Sequence, residues 1–123
     1  MGRLIRCITE DDTVRVLIVD VRDVAEAARL AHDLGPTAAA LTAEATAALA
    51  LMSAWLKGEE RLNLQIQAAS PRFGFTADLR ANGDMRARFT PSEVSAEPGG
   101  AMSGILVAIK YTGNTELYRG HTA

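Results

Sequence analysis

Strict alternation of apolar and polar residues, directly after a helix-ending glycine, constrains this chain more than any other feature. The alternation covers residues 61–67 and follows the pair Lys57-Gly58, which is typical of a helix C-terminus. The apolar members are Leu62, Leu64 and Ile66, and the polar members are Asn63, Gln65 and Gln67. Successive side chains of a strand point to opposite faces, so the pattern predicts a strand with one buried and one solvated face.

A hairpin and two helices are predicted before this strand. Segments 3–9 and 13–20 are rich in β-branched residues, and Asp11-Asp12 predicts the turn between them. Asp23 and Glu26 form a capping-box pattern at the start of the first helix, which Gly35-Pro36 ends. The second helix is predicted over 37–56. Its expected buried stripe consists of Leu41, Ala45, Ala48, Leu49, Met52 and Leu56.

Further strands are predicted after residue 70. The segment 68–71 predicts a turn, and residues 72–80 alternate again, with Phe73, Phe75, Ala77 and Leu79 on one face. Asn82-Gly83 predicts a type I′ hairpin into a strand over 85–90. Segments 103–111 and 116–119 are the last predicted strands, and no boundary divides residues 1–123. The order predicts one α+β domain, with a mostly antiparallel sheet and two helices packed on one face.

Charge and hydropathy limit the partners that the chain is expected to bind. Thirteen basic and 15 acidic residues give a net charge of −2, which offers no general attraction to nucleic acid or anionic lipid. We identify no apolar run that approaches the roughly 20 residues of a membrane span. The N-terminal residues lack the apolar core of a signal peptide, so we expect a cytoplasmic protein.

The side chains that carry chemistry are few, so we expect neither catalysis nor metal binding. Cys7 is the single cysteine, and we interpret it as a reduced, buried thiol in the first strand. A reactive or intermolecular thiol is the alternative. His32 is expected on the polar side of the first helix, and His121 in a frayed C-terminal tail. No nucleophile motif, phosphate loop or metal-spaced cluster accompanies them.

Arginines around the Asn82-Gly83 turn form a small basic patch. Its members are Arg72, Arg80, Arg86 and Arg88. Acidic neighbours at Asp78 and Asp84 and the lack of interleaved aromatics favour a solvated strand face over a nucleic-acid interface.

Segments spread over nearly the whole chain resemble one protein family. They are Asp-Thr-Val-Arg-Val at 12–16, the helix and break at 26–38, Leu-Lys-Gly at 56–58 with Leu-Asn-Leu-Gln-Ile-Gln at 62–67, the hairpin at 78–86, and Gly-Ile-Leu-Val-Ala-Ile-Lys at 104–110 with Leu-Tyr-Arg-Gly at 117–120. In this order they resemble the heat shock protein 33 family, the redox-regulated bacterial chaperones.

The resemblance implies a chaperone sheet-and-helix domain without the family's redox switch. Complete family members continue with a linker and a domain whose four cysteines hold zinc, and this chain has one cysteine. We therefore expect no zinc and no redox activation. The chain also departs from the family at 68–71, where Ala-Ala-Ser-Pro replaces a Gly-Asp-Gly-Pro turn. The sequence is compatible both with a fragment of a longer family member and with a natural short relative.

The family implies a holdase that binds unfolded polypeptide through apolar surface. We predict Leu17, Val19 and Leu106 as client- or partner-binding residues, because we place each on the strand face opposite the helices. Burial of these residues by a partner subunit is the structural alternative. A homodimer, with or without exchanged strands, is expected to cover open sheet edges. The competing function is a non-catalytic dimerisation or protein-interaction module with the same fold.

Overall fold

The computed structural model describes residues 2–95 and 100–123. The helices are α1 (Arg22–Ala31) and α2 (Pro36–Leu51), which continues as a 3-10 turn over Met52–Trp55. The strands are β1 (Arg3–Ile8), β2 (Arg15–Asp20), β3 (Glu60–Ser70), β4 (Arg72–Arg80), β5 (Met85–Thr90), β6 (Ser103–Thr112) and β7 (Thr115–Thr122). The predicted α+β class is confirmed.

Strand β3 is the centre of a five-stranded antiparallel sheet. The strand order is β5-β4-β3-β6-β7, so β5 and β7 are its edges. Ile66 of β3 pairs with Phe75 on one side and with Leu106 on the other. Leu62 and Leu64 are buried while Gln65 is exposed, as the alternation predicts. The inner face therefore combines apolar rows of β3, β4, β5 and β6.

Strands β1 and β2 form a separate two-stranded antiparallel sheet. The predicted turn at Asp11-Asp12 is confirmed, and Asp12 has a φ of 60°. The Asp11 carboxylate accepts hydrogen bonds from the hydroxyl and backbone N–H of Thr13 and from the Thr9 hydroxyl. These bonds lower the pKa of Asp11 to about 2, and the bond from the Thr9 hydroxyl has the largest effect.

The ends of α1 differ from the prediction. The N-cap position is Val21, whose side chain has no hydrogen-bond acceptor, and Glu26 binds Arg29 on its own helix. The capping box is therefore not formed. The helix stops at Ala31, and Asp33 takes the left-handed conformation, with a φ of 49°. The turn out of α1 thus begins before the Gly-Pro pair that we expected to end it.

Gly35 and Pro36 instead begin α2, as its N-cap and first helical residue. The predicted stripe is confirmed in part: Leu49 and Leu56 are buried, Leu41, Ala45 and Met52 are half-buried against the core, and Ala48 is exposed. The buried residues are Ala38, Thr42, Thr46, Leu49, Ala50 and Ser53. Alanine on every side of the helix removes the contrast that would mark the buried face.

The helix over 36–55 also corrects our statement about apolar runs. It is 20 residues long with a mean hydropathy of 1.3, which is enough by length and composition to cross a bilayer. The core helix of a soluble protein passes the same test. In this structure the helix contacts α1, β2, β4 and β5.

The hairpin from β4 to β5 has a different turn from the predicted one. The N–H of Gly83 donates to the Arg80 carbonyl, and the N–H of Arg80 donates to the Asp84 carbonyl. Gly83 has a φ of 94°, whereas Asn82 does not have a positive φ. This is a tight turn closed by a glycine bulge rather than a type I′ turn.

Both helices pack on one face of the five-stranded sheet, over β4 and β5. Phe73 of β4 and Phe89 of β5 stack beneath them, with ring centroids 4.9 Å apart. Leu79 and Phe89 are almost fully buried in this core. Because the helices lie over one half of the sheet, the inner face of β6 and β7 has less cover. The candidate site lies on this less covered half of the sheet.

Candidate functional site

An apolar groove lies between α2 and the less covered half of the sheet. Its volume is about 440 Å³. Leu41 and Ala45 of α2 form one wall, and Ile66 and Leu106 lie on the facing strands. Three phenylalanines line it as well: Phe73, Phe75 and Phe89. The groove is within the size range of ligand sites and is lined mainly by side chains that favour apolar occupants.

The polar groups of the groove are few. Ser103 and Thr122 carry hydroxyls, and Glu44 of α2 is the single ionisable side chain among the lining residues that the structure describes. Met102, the residue before β6, is 53% exposed, and its flexible thioether side chain lines the groove. Among the described residues that line the groove, no acid is paired with a base, and most of the lining is apolar.

Close contact between β3 and β6 shapes the floor of the groove. A Cβ on Gly104 would overlap the carbonyl of Gln67 and lie 2.7 Å from the Cα of Ala68. The pairing also shifts register between Ala68 and Ser70. A side chain at position 104 would therefore push the two strands apart beneath the groove.

Polar contacts fix the C-terminal end of the helical segment against the sheet. Lys110 of β6 donates a hydrogen bond to the carbonyl of Trp55 at 3.0 Å. It also forms an ion pair with Glu60 at 3.0 Å. Lys110, followed by the backbone N–H of Lys57, lowers the pKa of Glu60. These bonds hold the helix over the same sheet whose inner face forms the groove.

Leu106 lies in the groove, on the helix-packed face of the sheet. We predicted the opposite face, and that placement is wrong. Both rows of β6 are apolar, so its own sequence does not indicate the inner row. Pairing decides it: directly opposed residues share a face, and Leu106 opposes Ile66.

The predicted faces of β2 are reversed as well. Leu17 and Val19 are half-buried, whereas Val16 is 45% exposed and Ile18 is 55% exposed. Here too both rows of the strand are apolar, and contact with α2 decides which row turns inward. Leu17 and Val19 are not among the residues that line the groove with Leu106, and the binding role of all three stays a prediction.

The exposed row of β1 and β2 is a second apolar surface that the sequence did not single out. Its exposed members are Cys7, Val14, Val16 and Ile18, and Ile5, which pairs with Ile18, is half-buried beside them. Cys7 pairs with Val16 and is exposed, so the prediction of a buried thiol is wrong. We call this surface the hairpin face.

The residues considered for chemistry are scattered. His32 caps the end of α1, and His121 belongs to β7 rather than to a frayed tail. In residues 2–95 and 100–123, no group of three His, Cys, Asp or Glu side chains could hold a metal ion. With a single cysteine, the chain does not fit the four-cysteine zinc site that the resemblance implies for complete proteins.

Polar and basic residues lie on the outer face of the sheet, away from the groove. Asn63 donates to the Asp78 carboxylate at 3.0 Å, and Arg61 lies over the ring of Tyr111. The arginines predicted as a patch are Arg72, Arg80, Arg86 and Arg88, and all are exposed. In the described part of the chain none of these four forms an ion pair, as on a solvated strand face.

Comparison with known protein families identifies the family. The family model described as Hsp33 protein matches residues 2–123. The chain belongs to the Hsp33 family. Hsp33 proteins are chaperones rather than enzymes, in agreement with the predicted absence of catalysis.

Curated relatives are 33 kDa chaperonins from bacteria. The Bacillus velezensis protein is 34% identical over 87 residues, which cover 71% of this chain and 30% of the relative. The Thermus thermophilus protein is 39% identical over 88 residues, which cover 70% of this chain and 26% of the relative. A Bacillus licheniformis protein is 27% identical over 130 residues, which cover 98% of this chain and 45% of the relative. The chain thus spans less than half the length of these relatives.

Proposed function

We propose that this Hsp33-family chain is a holdase domain, which binds unfolded polypeptide without nucleotide or covalent chemistry. The open apolar groove between α2 and β6 carries the proposal. It offers aliphatic and aromatic side chains to a client, and no set of polar groups that would select one small ligand. Membership of a chaperone family supports the same function.

Unfolded chains are suitable occupants because they expose apolar side chains that folded proteins bury. Placing one leucine- or methionine-sized side chain in the groove is worth about 1.5–3 kcal/mol relative to water. Several such side chains are needed to offset the ordering of the client. Binding is therefore expected to depend on apolar content rather than on one sequence, as a holdase requires.

We further propose that binding needs neither zinc nor oxidation and takes place in the cytoplasm. The chain contributes one thiol, so client binding by a Cys7→Ser variant should be the same before and after treatment with peroxide. Switching of that variant by peroxide, or stoichiometric zinc in the purified protein, would contradict this.

The test of the holdase proposal is suppression of aggregation of a chemically unfolded client. Met102→Asp places a charge at an exposed position of the groove, and we expect roughly fivefold more protein to be needed for half protection. Leu30→Asp is the matched control, because Leu30 is 66% exposed on α1 and is not a groove residue. A folded wild-type chain without protection, or equal loss in both variants, would refute the proposal.

A dimerisation or protein-interaction module is the second candidate, and the hairpin face supports it. Ile18 and Val16 expose apolar surface on a two-stranded sheet, and the edge strand β7 exposes Leu117 at 48% and Tyr118 at 65%. A second copy, with or without exchanged strands, would cover such surfaces. This candidate predicts self-association without protection of clients.

A further inference from the structure

Glu44 is chemically unlike the rest of the apolar groove. It is the only charged residue between Pro36 and Leu51, and within residues 2–95 and 100–123 it is the only ionisable side chain that lines the groove. Its side chain is exposed at the wall formed by α2. In residues 2–95 and 100–123 it forms no ion pair and no side-chain hydrogen bond. An occupant of the groove therefore meets the negative charge of Glu44, in a lining that also includes the terminal residue Ala123.

We propose that Glu44 makes the groove selective for apolar segments that carry a cationic residue. The inference rests on the proposed client-binding function and adds the class of client. A lysine or arginine among apolar residues gains an ion pair with Glu44 at the groove. An acidic residue at the same place is repelled and loses hydration as the groove is occupied. The apolar lining supplies affinity, and Glu44 supplies the discrimination.

Three labelled peptides test this selectivity in fluorescence-anisotropy titrations of the purified chain. The peptides share leucine, valine and serine residues and differ at one central position, which is lysine, serine or glutamate. We expect the lysine peptide to bind about five- to tenfold more tightly than the glutamate peptide at low ionic strength. The difference should shrink in 0.5 M salt, because screening weakens an exposed pair.

Two variants assign the preference to Glu44. Glu44→Gln should weaken the preference for the lysine peptide over the glutamate peptide, and Glu44→Lys should weaken it further. Glu59→Gln is the matched control. Glu59 is an exposed carboxylate before β3, at the end of that strand far from the groove, and the variant should keep the preference.

The outcomes separate this inference from the function on which it rests. If the three peptides bind equally well, the selectivity is refuted and the holdase proposal stands. The same holds if Glu44→Gln keeps the preference. If no peptide binds to a chain that is folded by circular dichroism, both the holdase proposal and the selectivity are refuted.

Discussion

The carboxylate of Glu93 accepts a hydrogen bond from the backbone N–H of Ala38 at 3.0 Å, across 55 residues of sequence. Gly35, the N-cap residue of α2, has no side chain to cap that helix. Glu93, in the loop after β5, supplies the missing acceptor and also accepts from the N–H of Val94. The N-terminus of the helix that forms the groove wall is thus capped by a distant carboxylate.

We predict that Gly35→Ala destabilises the fold through Glu93. A Cβ at position 35 would overlap Oε2 of Glu93 and lie 2.5 Å from its Cδ, although the backbone there, with a φ of −71°, accepts alanine. We expect the melting temperature to fall by roughly 2–6 °C.

A double-mutant cycle with Glu93→Ala, followed by thermal denaturation, isolates this contact. In the Glu93→Ala background the effect of Gly35→Ala should nearly vanish. An equal effect in both backgrounds would mean that Gly35 acts through something other than Glu93.

Acid should weaken the same cap. The N–H groups of Val94, Ala38 and Thr37 lower the pKa of Glu93 below its ordinary value of 4.5. A carboxyl whose pKa is lowered by folding stabilises the fold above its unfolded pKa, and that contribution is lost as pH falls through the folded pKa. The stability difference between wild type and Glu93→Gln, from denaturant titrations, should therefore be largest near pH 7 and shrink below pH 4.5. A pH-independent difference would contradict this.

Thr42→Val should stabilise the fold. Thr42 is fully buried in α2, and its hydroxyl has no hydrogen-bond partner in the described part of the chain. Valine has nearly the same shape and removes the desolvated hydroxyl, so the free energy of unfolding should rise by about 1 kcal/mol. Thr46→Val is the matched control. Thr46 is equally buried, but its hydroxyl donates to the Ala43 carbonyl at 3.0 Å, so its replacement should give no such gain. Urea denaturation measures both.

Ile18→Lys should weaken self-association if the hairpin face is the dimer contact. Ile18 is 55% exposed, and its loss from an interface should raise the dissociation constant about tenfold or more. Sedimentation velocity over a range of concentrations measures this, with Leu30→Lys as the exposed control on α1. A wild-type chain that is monomeric at all concentrations, or an unchanged dimer of Ile18→Lys, would exclude this contact.

Local sequence patterns were sufficient to predict the strands of the large sheet. In β4 the alternation predicted burial of Phe73, Phe75, Ala77 and Leu79, and all four are buried, because one row of this strand is clearly apolar and the other polar. Glycine and proline likewise predicted where the chain turns. They did not predict the turn type at Asn82-Gly83, which depends on how the hairpin closes.

What the sequence determined by itself is the α+β order of elements and the family, because periodicity and short motifs are local properties of the chain. The inner faces of β2, α2 and β6 were decided only by tertiary structure, since in each of them both sides are apolar. The groove that unites Leu41, Ile66 and Leu106 has the same origin, as does the cap that Glu93 provides for α2. Such features depend on strand register and on the half of the sheet that the helices cover, and these are set by packing between distant segments.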